Sequence, residues 1–150
     1  AATIVSGAVA GRMKFKLYVL SSILITAFVY PFAVHWCWSA EGWLAKLGYH
    51  DFAGGSPIHA LGGTLGLIAT LMMGPRIGVF TDSGHYFPVR SSPANCLFGT
   101  FILWWGWFCF NSGSTLSITG ENDLLAGKVA ANTAIASAAG TLAAMVYSYA

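Results

Sequence analysis

An all-α integral membrane fold is predicted by three features of this sequence. Of its 150 residues, 56% are hydrophobic and 8% charged, against about 25% charged in a typical soluble domain. Uncharged runs near bilayer length recur at 17–34, 57–73 and 96–114. Polar connections rich in Gly, Pro and Ser separate them, most plainly between Gly74 and Asn95. The net charge of +2 forms no basic patch for nucleic acid, and no glycine-rich phosphate loop is present.

Helices are expected at about 1–11, 17–36, 57–73, 96–114 and 125–149. The first is only half a span and has no basic flank before it, so it does not read as a signal peptide. The chain is therefore expected to be a piece of a longer protein. A basic turn, Gly11-Arg-Met-Lys-Phe-Lys16, leads into the second helix, which carries Pro31 in its last turn. Trp36 and Trp38 follow, residues common at the headgroup level of a bilayer. In the next loop Trp43-Leu-Ala is expected to return to the interface.

The third helix organises the chain. Asp51 and Ser56 are capping residues, and Pro57 suits a first helical turn, where an absent N–H costs nothing. From Pro57 to Met73 seventeen uncharged residues would span about 25 Å at 1.5 Å each. His59, Gly62 and Gly66 fall on one face, and the Gly-x-x-x-Gly pair admits a close neighbour there. The fourth helix is aromatic, with Phe98, Phe101, Trp104, Trp105, Trp107, Phe108 and Phe110. The fifth is rich in Ala, includes Gly140 and suits close packing. Taking the connections as alternating sides, the first and third hold Arg12, Lys14, Lys16, Arg76 and Arg90. The second and fourth hold only Lys46 and Lys128, with Glu41, Asp51, Glu121 and Asp123, so the first and third are expected in the cytoplasm.

Few residues could carry chemistry. His59 reads either as a packing imidazole satisfied by a carbonyl or as the lining of a conduit, one ring nitrogen donating and the other accepting. No second buried histidine or glutamate completes a metal or haem site. Trp107, Phe110 and Ser114 share a helical face, which is either an aromatic packing surface or a site for a small cation. Aromatic faces attract the cation and a serine hydroxyl accepts its hydrogen bond. Trp38 could add a further face. Asp51, beside Gly54-Gly55, suits capping better than direct ligation. Cys37, Cys96 and Cys109 lack paired spacing and read as thiols.

These residues also carry a family pattern. Asp51-Phe-Ala-Gly-Gly-x-x-x-His59 closing in Gly74-Pro-Arg76, then Gly106-Trp-Phe-Cys-Phe-Asn-Ser-Gly-Ser114 and Ala131-Asn-Thr-Ala-Ile-Ala-Ser-Ala-Ala-Gly140, resemble the ammonium transporter family, within the ammonium transporter/Rhesus superfamily. The resemblance implies a homotrimer of eleven-helix subunits with inverted repeats, each with its own pore in a cell membrane, and no cofactor. This chain resembles the end of the third helix through the seventh. By that resemblance His59 is the first of two pore histidines, and Trp38, Trp107 and Ser114 recruit ammonium at the outer mouth. Phe110 is one of two phenylalanines over the pore, and Asp51 is a structural aspartate near the mouth.

Two positions depart from the family pattern. Gly11 stands before Arg12 where most members have an acidic residue, and Ser56-Pro57 replaces a small or β-branched pair. The implied activity is transport of ammonium or ammonia, without covalent catalysis. An ammonium sensor on the same fold and a Rhesus-type gas channel are the alternatives. A redox membrane enzyme is a more distant reading.

Overall fold

The computed structural model describes residues 1–80 and 92–149, and every helix-length element among them is helical. Arg90, counted above with the basic connections, lies outside the described residues. The elements are α1 (Ala2–Val9), α2 (Phe15–Leu24), α3 (Tyr30–Trp38), α4 (Trp43–Lys46), α5 (Leu61–Met73), α6 (Pro93–Gly113) and α7 (Asn122–Tyr149). A π turn, Ile25–Val29, joins α2 to α3, and a second, Gly55–Ala60, opens onto α5. Three stretches are long and apolar enough to cross a membrane: Phe15–Lys46, Gly55–Met73 and Asn122–Tyr149. The chain divides into two compact units, Ala1–Val89 and Arg90–Ala150.

Pro31 explains the first π turn. Proline brings no N–H and its ring crowds the carbonyl four residues back, so an α-helix through this point must break or widen. It widens: the Tyr30 N–H bonds to the Ile25 carbonyl, five residues back. The helix thus passes Pro31 and runs to Trp38. Ser39 then turns the chain into the short α4, which holds Trp43 at its start.

In the first unit the core is small: Val5, Val9 and Ile25, flanked by Met13, Tyr18, Leu65, Ala69 and Met73. Gly62 and Gly66 are what let α1 lie against α5. A Cβ on Gly62 would stand 2.9 Å from both the Ala1 carbonyl oxygen and the Ile4 Cβ, and one on Gly66 would stand 3.1 Å from the Ala8 Cβ. Close small-residue contact is how helices associate where lipid removes the hydrophobic drive.

The C-terminal ends of α1 and α5 are tied as well. The Arg12 Nη1 donates to the Gly74 carbonyl at 2.7 Å, and the Arg76 Nε donates to the Ala10 carbonyl at 2.8 Å. Arg76 lies over Gly11, at 3.4 Å from where a Cβ would be.

The second unit is a helix pair. Ser92 caps α6 by accepting from the Asn95 N–H at 3.4 Å, and Pro93 occupies its first turn. Asp123 lies in the first turn of α7, where a negative charge suits the helix dipole. Large apolar side chains are exposed on both units, among them Ile23, Phe28, Phe32, Leu71, Phe98, Trp105 and Val146. A water-soluble domain buries such side chains, whereas a membrane segment presents them to lipid or to further helices.

Candidate functional site

Six residues singled out from the sequence fall three to each unit. Trp38, Asp51 and His59 lie in the first, and Trp107, Phe110 and Ser114 in the second.

In the first unit the starting point is the Asp51 carboxylate. Its Oδ1 accepts from the Gly54 N–H at 2.5 Å and the Gly55 N–H at 3.1 Å, and its Oδ2 accepts from the Ser56 N–H at 2.7 Å. Three N–H groups at the opening of a helix are thereby satisfied by one side chain. Partial burial pushes this carboxyl up, but the N–H bonds from Ser56, Gly54 and Gly55, helped by the Ser56 hydroxyl, outweigh it and hold Asp51 below the usual carboxylate range. The geometry is that of a cap.

The turn Asp51 caps has an unusual pitch. Both the Ile58 N–H (3.1 Å) and the His59 N–H (3.2 Å) bond to the Gly54 carbonyl, four and five residues back. Pro57, fully buried, offers no N–H of its own. Gly54 has φ +96°, and a Cβ there would sit 2.5 Å from the Ile58 Cδ1, so only glycine fits this entry. Wide turns of this kind occur often at functional sites. His59 stands in it with an exposed side chain.

Gly62 and Gly66 are buried by α1, and the Ala1 carbonyl oxygen faces Gly62.

Trp38 meets the same corner from α3. Its indole Nε1 donates to the backbone carbonyl of Asp51 at 2.7 Å. The Trp36 and Trp43 rings meet edge to face with centroids 6.2 Å apart, holding the end of α3 to α4. The Tyr49 and Ser56 hydroxyls are hydrogen-bonded, and Lys46 pairs with Glu41 on the surface at 2.6 Å. Trp38, Asp51 and the turn carrying His59 thus form one hydrogen-bonded corner.

In the second unit the site residues sit on the last two turns of α6. Phe101, Trp104 and Phe108 stack along the helix, with centroids 6.4 and 6.3 Å apart. Trp107 and Phe110 are exposed, and Ser114 is half-buried at the C-cap. The Ser114 hydroxyl donates to the Phe110 carbonyl at 2.8 Å. A hydroxyl has one proton, so this oxygen is left as an acceptor. Aromatic faces and an acceptor oxygen on one helix end are the chemistry a small hydrogen-bonding cation requires.

Two polar side chains overlooked in the sequence support this end of α6. The Asn111 Nδ2 donates to the Thr133 hydroxyl at 3.0 Å, and the Ser112 hydroxyl donates to the Ala126 carbonyl at 3.2 Å. The available signal was an amide four residues after Trp107 in an otherwise aromatic helix.

Comparison with known proteins matches residues 1–150 to the Ammonium Transporter Family. A relative in Synechocystis sp., provisionally named an ammonium transporter, is 48% identical over 99% of this chain and 34% of its own length. Ammonium transporter Amt2 of Archaeoglobus fulgidus is 42% identical over 99% of this chain and 33% of its own. Ammonium transporter 1 member 3 of rice (Oryza sativa subsp. japonica) is 40% identical over 99% of this chain and 33% of its own. The chain therefore spans about a third of the length of these curated relatives. No solved structure matches it.

Proposed function

The chain belongs to the ammonium transporter family, and on that premise we propose that it contributes the outer recruitment site and part of the conduit of a membrane pore for ammonium or ammonia. Trp38, Trp107 and Ser114 gather the ion at the outer mouth, and Phe110 stands over the entrance. His59 lines the path beyond, and Asp51 shapes the mouth without touching the ion. The full-length protein is an eleven-helix subunit of a homotrimer in the cell membrane. The process is transport, with no covalent bond made or broken in substrate.

The observation that carries this reading is the Ser114 hydroxyl, whose proton is given to the Phe110 carbonyl. The oxygen can then accept from an N–H of ammonium, a bond that the similarly sized potassium ion cannot supply. Cation–π attraction adds about 2 kcal/mol or more at a desolvated site, and is shared by both ions. Discrimination thus rests on hydrogen bonding. A bare cation entering the apolar midplane would pay a heavy desolvation cost, which favours loss of a proton before passage. A neutral imidazole at His59 can both donate and accept, matching the groups of ammonia.

The test uses the full-length protein in oocytes or liposomes, with current and external pH recorded on adding ammonium. Saturable uptake insensitive to potassium, and altered in both His59→Ala and Trp107→Ala, is the expected result. Ammonium binding without flux in the parent would instead establish the sensor. A current during uptake means that charge crosses, and electrically silent uptake means that neutral ammonia does.

A further inference from the structure

Building on the recruitment site proposed above, we infer that Asn111, held by Thr133, is a positioning residue that fixes the rotation of α6 and so aims Trp107 and Ser114. The argument starts from the packing of α6 on α7. Beyond its first turn, the less exposed positions of α7 are Ala126, Val129, Ala130, Thr133, Ala134 and Ser137, all small or β-branched side chains. Small residues let helices come close but give a smooth surface, with few knobs to resist rotation of one helix about its axis. Rotation of α6 is the motion that would carry Trp107, Phe110 and Ser114 away from any fixed direction.

Asn111 opposes that rotation at the level of the site. It follows Trp107 by four residues and precedes Ser114 by three, so the three share a face. Its Nδ2 reaches the Thr133 hydroxyl at 3.0 Å, and Thr133 is only 7% exposed. That hydroxyl is itself fixed, because it donates to the Val129 carbonyl at 2.8 Å. Thr133 can therefore only accept from Asn111, which sets the amide with its N–H toward α7. The Ser112 bond to the Ala126 carbonyl, one residue along α6, makes a second attachment, about two turns nearer the start of α7. Asn111 touches no ion in this scheme; it acts through where it places Trp107 and Ser114.

The experiment measures ammonium uptake against concentration in the full-length protein, normalised to the amount in the membrane, for Thr133→Val, Thr133→Ser, Asn111→Leu and the Thr133→Val/Asn111→Leu pair. Thr133→Val keeps the shape and removes the hydroxyl. From the usual strength of interhelical hydrogen bonds, the half-saturating concentration should rise about 3- to 15-fold. Maximal rate should stay within about twofold, because the path past His59 is untouched. Thr133→Ser should behave as the parent, and the pair should be no worse than its weaker member. Asn111→Gln, which keeps the amide but moves it by one methylene, gives a second reading of the same shift.

Parental half-saturation in Thr133→Val, or a loss confined to maximal rate, overturns the inference. Additive effects in the pair also overturn it. Absence of saturable uptake in the parent overturns the transport reading and takes the inference with it, so the two failures look different.

Discussion

Arg12 and Arg76 each reach the carbonyl at the other's helix end, Arg12 onto Gly74 and Arg76 onto Ala10. The exchange satisfies one terminal acceptor of α1 and one of α5, with a positive charge where the helix dipole favours it. Each Arg→Ala variant should lower stability by about 1 kcal/mol. Arg76→Lys should recover little of this, since an ammonium cannot present an Nε–H in the guanidinium plane. The double variant should lose less than the sum, because both bonds hold the same helix pair. Thermal unfolding of the purified full-length protein in detergent measures all four, and full additivity would show the two bonds to be independent.

Gly62 and Gly63 make a matched pair for the α1–α5 contact. A Cβ at Gly62 meets the Ala1 carbonyl and Ile4 at 2.9 Å, whereas one at Gly63 meets nothing within 4 Å. Gly62→Ala should therefore cost about 1–3 kcal/mol through forced separation of the helices. Gly63→Ala should gain up to about 0.5–1 kcal/mol from helix propensity. The same unfolding assay separates them. Equal effects would mean that helix propensity, not contact, governs both positions.

Asp51 makes stability depend on pH in a definite direction. Its folded carboxyl titrates below the usual range. Its contribution is thus complete above the unfolded value of about 3.9 and is lost as pH falls through the lower folded value. Asp51→Asn should cost on the order of 1 kcal/mol at neutral pH, since the amide offers one acceptor where the carboxylate offered two. The gap between parent and variant should hold steady down to about pH 5 and close below about pH 3.9. A gap that persisted undiminished at pH 3 would assign the loss to shape instead of charge.

Trp38 can be dissected by removing its N–H and its ring in turn. Trp38→Phe keeps an aromatic face but loses the bond to the Asp51 carbonyl. At about 0.5–1.5 kcal/mol for one hydrogen bond, half-saturation for ammonium should rise about 2- to 10-fold. Trp38→Leu should raise it further by removing the face itself. Parental uptake in Trp38→Phe would show that the indole N–H has no part in holding the mouth.

The helical, membrane-spanning character of the chain was legible because it rests on composition and on runs without charge. The Asp51 cap was legible too, since an acid ahead of Gly-Gly and Ser-Pro is a local signal. So was the common face of Trp107, Phe110 and Ser114, which depends only on spacing along one helix. What escaped was of two kinds. Pro31 in an apolar run can end a helix or merely widen it, and nothing local chooses between Pro31 as a stop and the π turn at Ile25–Val29. The other kind is long-range bonding to backbone carbonyls. Arg12 and Arg76 could be counted as charges, but their acceptors lie 62 and 66 residues away, on groups that every residue carries. The same holds for Trp38 on Asp51.

The bond from the Ser114 hydroxyl to the Phe110 carbonyl has a further consequence for how the recruitment site proposed above would distinguish solutes. A free hydroxyl can rotate to offer its proton or its lone pairs, and so greets cation and anion alike. Here the rotor is already locked by the helix's own backbone. A donor arriving at Ser114 has no rotational entropy of that group to pay, so the site is preorganised for donors. An anion meets lone pairs that can be turned away only by breaking an existing bond. Under the recruitment role proposed for Ser114, selection by charge sign would begin at this one serine.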